Sequence, residues 1–269
     1  LAGNKNGFNW NFSGTYRSAG DYTNKYDGKV LNSRFNERNL SGYAGLNKGW
    51  GYSHLIFSHF NQHAGMVEGE RDDIRGNFVL FAGSPSERIA TEDDLDSRSL
   101  FVPQQKIRHT KIVSDNSFAI HKSRLKINLG YQANTRQEYG NPEDPAEKKL
   151  YFDLGTFNYN LQWQFPEVKE WHTTIGSNGI QQTNTNKGAE ALIPEYSLFD
   201  LGGFLYTQRL FKKATLSGGL RFDNRSVNSR EYFEGSDLKF AAFRRSFSNI
   251  SGSIGVSLEP TDLLTLKLN

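Results

Sequence analysis

The sequence contains no cysteine and a single methionine among 269 residues. Disulfide frameworks and thiolate metal centres are thereby excluded. Long apolar runs are missing as well. The longest is Phe78 to Ala82, far short of the roughly 18 to 20 residues that a membrane helix requires. A helical membrane protein is excluded, but a membrane barrel is not, because its strands carry apolar residues only at alternate positions. An excess of one charge is also lacking. The 32 Lys and Arg against 29 Asp and Glu leave a formal net charge of +3, which implies no basic surface for nucleic acid. Gly-Xaa-Ser-Xaa-Gly does not occur, no nucleophile–base pair is assignable, and no enzyme and no cofactor are expected. The pairs Gly202-Gly203 and Gly218-Gly219 fall within predicted strands, where glycine marks a bend or a close backbone approach rather than a phosphate cradle.

What the sequence does have is aromatic residues (13 %), 26 glycines and a recurrent period of two. Between Ser123 and Glu138 the odd positions are Leu125, Ile127, Leu129, Tyr131 and Ala133. The even positions include Arg124, Lys126, Asn128, Gln132, Asn134 and Arg136. Successive side chains of a strand point to opposite faces, so one face is greasy and the other charged. Ala214 to Asn224 repeats the pattern, with Leu216, Leu220 and Phe222 against Thr215, Ser217, Arg221 and Asp223. So does Asn249 to Leu258, with Ile250, Ile254 and Val256 against Ser251, Ser253 and Ser257. Near the start, Phe8, Trp10, Phe12 and Tyr16 alternate with Asn9, Asn11, Ser13 and Thr15.

The pattern predicts about eleven antiparallel strands, at residues 6–17, 38–48, 52–62, 108–120, 123–138, 149–165, 170–183, 196–210, 214–225, 247–258 and 263–269. Several exceed the 5 or 6 residues typical of globular strands and reach the roughly 9 to 11 that a tilted strand needs to cross a bilayer. The connections alternate. Short turns fall near 48–51, 120–123, 166–169, 211–213 and 259–262. Long loops fall near 18–37, 62–107, 139–148, 184–194 and 226–245. Outer-membrane barrels sort their connections in this way, with short periplasmic turns and long extracellular loops. Trp50 and Tyr52 flank one short turn, and Trp163, Phe165 and Trp171 another, as interfacial aromatics do. Segments 52–62 and 196–210 are apolar in both phases, so their faces are not assignable from the sequence.

The expected architecture is therefore an all-β antiparallel transmembrane barrel. In it, the charged residues Arg124, Lys126, Arg136, Glu138, Arg221 and Asp223 face the lumen, with Arg136 and Glu138 toward the extracellular mouth. There they contact a plug, steer an anionic solute, or are simply solvated. His59 and His63 form a His-x-x-x-His on an extended segment, where four residues span about 13 Å. Exposed rim histidines are the expectation there, not a metal site. The acidic run Glu92-Asp93-Asp94-Leu95-Asp96 lacks the EF-hand pattern for Ca²⁺ and its glycine, and reads as a solvated loop.

Several stretches resemble TonB-dependent outer-membrane receptors. They are Leu129 to Tyr139 (Leu-Gly-Tyr-Gln-Ala-Asn-Thr-Arg-Gln-Glu-Tyr), Ile180 to Gly188, Leu192-Ile193-Pro194-Glu195-Tyr196, Leu201-Gly202-Gly203-Phe204 and Gly218 to Asp223. Their order and spacing match along residues 100–269, and the first hundred residues match in general character. The resemblance implies a barrel of about 22 strands, of which residues 1–269 form a middle section, with the plug domain, barrel ends and export signal elsewhere in a longer chain. It also implies residence in outer-membrane lipid, contact with an N-terminal plug, and coupling to the TonB complex. The function implied is active uptake of a scarce nutrient such as an iron chelate, haem, cobalamin or an oligosaccharide. The alternatives are a passive porin or adhesin barrel, or a soluble carbohydrate-binding β-protein. The soluble alternative predicts repeats at about 40 to 50 residues, and none is evident.

Overall fold

A computed structural model describes residues 1–261 and 263–268. Twelve strands form one sheet in strict chain order, each antiparallel to the next. They are β1 (Ala2–Lys5), β2 (Phe8–Ala19), β3 (Phe35–Lys48), β4 (Gly51–Gly65), β5 (Gln104–Ile120), β6 (Ser123–Tyr139), β7 (Leu150–Gln164), β8 (Trp171–Asn186), β9 (Tyr196–Phe211), β10 (Ala214–Ser229), β11 (Phe243–Thr261) and β12 (Leu264–Leu268). All of the predicted strands are present, most of them longer than expected. Among the described residues no ladder joins β1 to β12.

The strand that the sequence reading missed is β1. Its signal was the dipeptide Asn6-Gly7, at φ 52° and 83°. Two positive φ values in a two-residue turn make a type I′ hairpin, whose twist matches that of the strands it joins. Here Lys5 pairs with Phe8. Tight turns at 6–7, 49–50, 121–122, 165–170 and 212–213 lie at one end of the sheet; the expected turn at 259–262 includes residue 262, which lies outside the described residues. The connections 20–34, 66–103, 140–149, 187–195 and 230–242 lie at the other. At the tight end Gly51 takes φ 127°, and a Cβ there would stand 1.9 Å from the carbonyl oxygen of Ser117. No other residue type fits so close to that backbone.

Register shows what the strands do with their side chains. Residues directly opposite in a ladder share a face. On one face Tyr131 stands between Ile112 and Phe157, and Ile112 stands beside Phe57. Leu205 stands between Ile175 and Leu220 on the same face. In mid-sheet Leu55 and Tyr131 remain 53 % and 52 % exposed. Among the described residues nothing packs over them, and Phe57, Ile112, Phe157, Ile175, Leu205 and Leu220 continue the exposed apolar face across the sheet, a contiguous patch of the kind that soluble monomers rarely present. The register also assigns the two ambiguous strands. Leu55 and Phe57 of β4, and Phe199, Leu201 and Leu205 of β9, share the greasy face. Ile56, Phe60, Leu198 and Phe204 occupy the other.

Candidate functional site

All six predicted charged residues lie on the polar face, because Arg124, Lys126, Arg136 and Glu138 alternate with the greasy positions of β6 and Arg221 and Asp223 alternate with those of β10. The structure gathers them into three groups rather than one. At the tight-turn end Arg124 donates to the Ser117 hydroxyl at 2.9 Å. It borders a cavity of about 660 Å³ lined by Gln162, Gln164, His172, Tyr206 and Gln208. Lys126 stands on that face between Ser117 and Gln162. Farther round the sheet the Arg221 guanidinium donates to Asp223 at 2.7 Å and to the Asn178 amide oxygen at 3.0 Å. Beside it Arg225 grips Asp200 through two bonds of 2.8 and 2.6 Å. The two pairs line a second cavity of about 320 Å³ with Asn249. Toward the loop end Arg136 pairs with Glu138 at 2.6 Å. Sequence reasoning missed Asp200, Arg225 and Asn178, because a partner across a sheet is invisible until the register is known.

The wall therefore presents three internally paired charges, Arg136–Glu138, Arg221–Asp223 and Arg225–Asp200, with amide side chains between them and with Arg124 and Lys126 at the tight-turn end. Such a surface hydrogen-bonds a hydrated solute or another polar surface.

His59 and His63 both lie on the greasy face near the loop end, half-buried rather than exposed. His59 Nδ1 is 2.9 Å from the Thr110 hydroxyl, and His63 Nε2 is 2.5 Å from the Gln104 amide oxygen. Each ring is thus held by its cross-strand neighbours.

The loop end carries a structure of its own. The one packed apolar cluster among the described residues is there, not in the sheet. Val30 and Leu31 from the 20–34 connection are buried against Phe78 and Leu80 from the 66–103 connection, with Phe81, Ala90, Leu95 and Phe101 around them. Two polar knots bind the loops together. Asn32, at φ 60°, donates to the carbonyls of Met66, Phe101 and Pro103 at 3.3, 3.1 and 2.8 Å, and accepts from the Phe101 amide at 3.1 Å. Arg34 is paired with Asp21, the two side chains being 1 % and 0 % exposed. Arg34 Nε donates to Asp21 at 3.0 Å, and its terminal nitrogens donate to Asp21 and to the carbonyls of Asp94, Ser97 and Ser99. All five guanidinium donors are thereby used.

The acidic run that reads as a solvated loop folds instead into one helical turn, Glu92–Asp96. Thr91 caps it, its side chain accepting from the Asp94 amide while the Asp94 carboxylate accepts from the Thr91 amide. Acidic residues suit the positive end of a helix, and a reciprocal cap satisfies two orphan donors. Asp94 also receives two bonds from Arg88 at 2.6 and 2.8 Å. Asp96 pairs with Lys29 of the neighbouring loop. The Arg88 guanidinium, and after it the Thr91 bonds, hold the Asp94 carboxyl well below the ordinary carboxylate value of 3.8. A depressed carboxyl stabilises the fold above its unfolded pKa and loses that contribution as the pH falls through its folded one. Amide exchange across residues 88–96 is therefore expected to stay protected from neutrality down to mild acid and to fail progressively once the pH drops below about 3.8. Asp94→Asn removes that dependence. Unchanged pH dependence in the variant places the titration elsewhere.

No protein-family model matches the sequence, and no curated protein sequence matches it. Solved structures do. The FrpB iron transporter from Neisseria meningitidis (F5-1 variant) superposes with a TM-score of 0.66 at 15 % identity, over 97 % of this chain and 42 % of that one. The copper transporter OprC gives 0.63 at 14 %, over 97 % and 40 %. The Serratia marcescens hemophore receptor HasR, solved with its hemophore HasA and heme, gives 0.61 at 12 %, over 97 % and 40 %. These neighbours are transporters and receptors, not enzymes. The chain spans about two-fifths of the length of each of the three. Its fold, over nearly its whole length, is that of the barrel wall of the TonB-dependent receptors.

Proposed function

We propose that this chain is part of the barrel wall of an outer-membrane, TonB-dependent receptor that imports a scarce nutrient. The observation that carries the reading is the division of the sheet into two faces, with strands of up to 19 residues and connections sorted by length to opposite ends. Water opposes such an exposed apolar face, at roughly 25 cal/mol per Å², whereas lipid accepts it. A bilayer also demands that every backbone group be paired, which a long antiparallel ladder achieves and an open edge does not. The strands β1 and β12 therefore meet further strands in the complete barrel. The polar face lines the lumen, where Arg124 and Lys126 and the paired charges around Arg221 and Arg136 meet a plug domain from the rest of the polypeptide. The loop cap forms part of the extracellular mouth that captures the ligand. The neighbours' cargoes favour a chelated metal or haem as the nutrient.

Two measurements test this. The full-length protein, extracted from outer-membrane fractions, is expected to run on SDS gels as a band that shifts on boiling. Uptake of a ferric chelate or haem by cells expressing it is expected to cease when TonB is deleted. A soluble parent without a heat shift overturns the membrane reading. A heat shift with uptake indifferent to TonB makes it a passive barrel.

A further inference from the structure

On the greasy face, moving from the tight turns toward the loops, the apolar band ends in basic side chains. Its last apolar residues on β2 to β5 include Phe12, Leu40, Phe57 and Ile112. Beyond them the register lays Arg38 beside Asn61, and Asn61 beside Arg108, in one row. One step nearer the loops, His63 stands beside Lys106. Arg38 and Arg108 are two strands apart, about 10 Å, and Lys106 lies about 7 Å along β5 from Arg108. Their side chains therefore converge on one patch.

Two observations make this patch unlike the charges on the opposite face. Among the described residues no carboxylate lies within ion-pair distance of Arg38, Lys106 or Arg108. The acid nearest along the row is Asp153, beyond Thr135, and Lys187 already holds it at 2.5 Å. Two of the three cations also rest on tyrosines, Arg38 5.8 Å from the Tyr16 ring centre and Lys106 5.1 Å from that of Tyr139. Tyrosine beside Lys or Arg is the residue pairing of a membrane–water boundary.

We infer that Arg38, Lys106 and Arg108 form a binding site for the phosphate groups of a glycolipid in the outer leaflet. The inference rests on the membrane reading proposed above. An occupant must place anionic oxygens against three unpaired cations and hydrocarbon against the apolar rows immediately below. An amphiphile with a phosphorylated headgroup does both. Arginine offers the planar fork that suits phosphate oxygens, and lysine adds a point charge. Asn61 stands between Arg38 and Arg108 and offers hydrogen bonds to sugar hydroxyls.

The test uses the full-length protein reconstituted in phosphatidylcholine nanodiscs, with native mass spectrometry or fluorescence titration as readout. The probes are bis-phosphorylated lipid A, the same glycolipid with both phosphates removed, and inorganic phosphate. The wild type is expected to bind the phosphorylated glycolipid at least about tenfold more tightly than the dephosphorylated one, at the scale of one or more basic residues near a charged leaflet. The triple variant Arg38→Ser, Lys106→Ser, Arg108→Ser is expected to lose that preference. Lys111→Ser, a charge removed from the opposite face of β5, is expected to keep it. Equal binding of the two glycolipids, or a preference that survives the triple variant, overturns the site. Inorganic phosphate that displaces the glycolipid at equal concentration overturns it as a lipid site. The heat shift of each preparation is recorded alongside, so that failure to insert into a membrane is distinguished from an inserted protein that ignores the glycolipid.

Discussion

Replacing Asp21 by alanine in the full-length protein is expected to unlock the loop cap while leaving the barrel standing. The Arg34 guanidinium is buried at the junction of two long connections, and among the described residues Asp21 is its only anionic partner. Removing one member of a buried pair strands the other charge without water, at a cost of about 3 to 5 kcal/mol. Asp21 also accepts from the backbone amides of Asn32 and Arg34 at 3.2 and 3.0 Å, and those bonds go with it. The cap's apolar cluster is small, so a loss on that scale removes most of what holds it together. Limited trypsin digestion is the direct readout, because Arg71, Arg75, Arg88 and Arg98 lie in the 66–103 connection. The variant is expected to be cut there at a rate at least ten times that of the wild type, with the heat-shifted barrel band unchanged. The double variant Asp21→Leu, Arg34→Met removes both charges and is expected to recover part of the protection, since an apolar pair of similar volume does not carry the desolvation penalty. A cap that stays resistant after Asp21→Ala is held by the Asn32 knot and the apolar cluster alone.

A second large effect is expected from placing one charge on either face of β6. Leu129 lies in the apolar band beside Tyr159 and Ser114. Asn128, one residue earlier, points to the polar face and donates to Asp115 at 2.5 Å. Arginine on the lipid side of a barrel costs about 2 to 4 kcal/mol near the bilayer midplane. Leu129→Arg is therefore expected to shift the folding midpoint of the urea-unfolded protein into lipid vesicles by that amount and to reduce the heat-shifted band in cells. Asn128→Arg keeps a carboxylate within reach and is expected to fold nearly as the wild type. Equal losses for the two variants mean that the sheet does not have one lipid and one aqueous face.

Much of this was legible in the sequence, for a physical reason. A strand repeats every two residues, so a sheet with unlike solvents on its two faces writes them into alternate positions. Leu125 to Ala133 against Arg124 to Arg136 gave β6 its limits and its two sides before any coordinate was known. Loop lengths read directly from the spacing, and they sorted the ends of the sheet. The six charged residues were placed on a common face for the same reason.

What remained closed to the sequence depends on contacts between distant segments. β4 and β9 carry apolar residues in both phases, so only pairing with β5 and β8 settled which side Phe57 and Leu201 occupy. Asp200 and Arg225 are 25 positions apart and became partners through the β9–β10 register. The loop cap is the extreme case. Arg34 bonds carbonyls at Asp94, Ser97 and Ser99, more than 50 residues away, and Asn32 bonds others at Met66, Phe101 and Pro103. Neither has periodicity or local motif to announce it. Alternation fixes the face of the sheet on which a residue sits, because the surroundings act on each residue separately. Which charges neutralise one another, and which stay unpaired at the end of the apolar band, was decided only when the fold brought the strands and loops together.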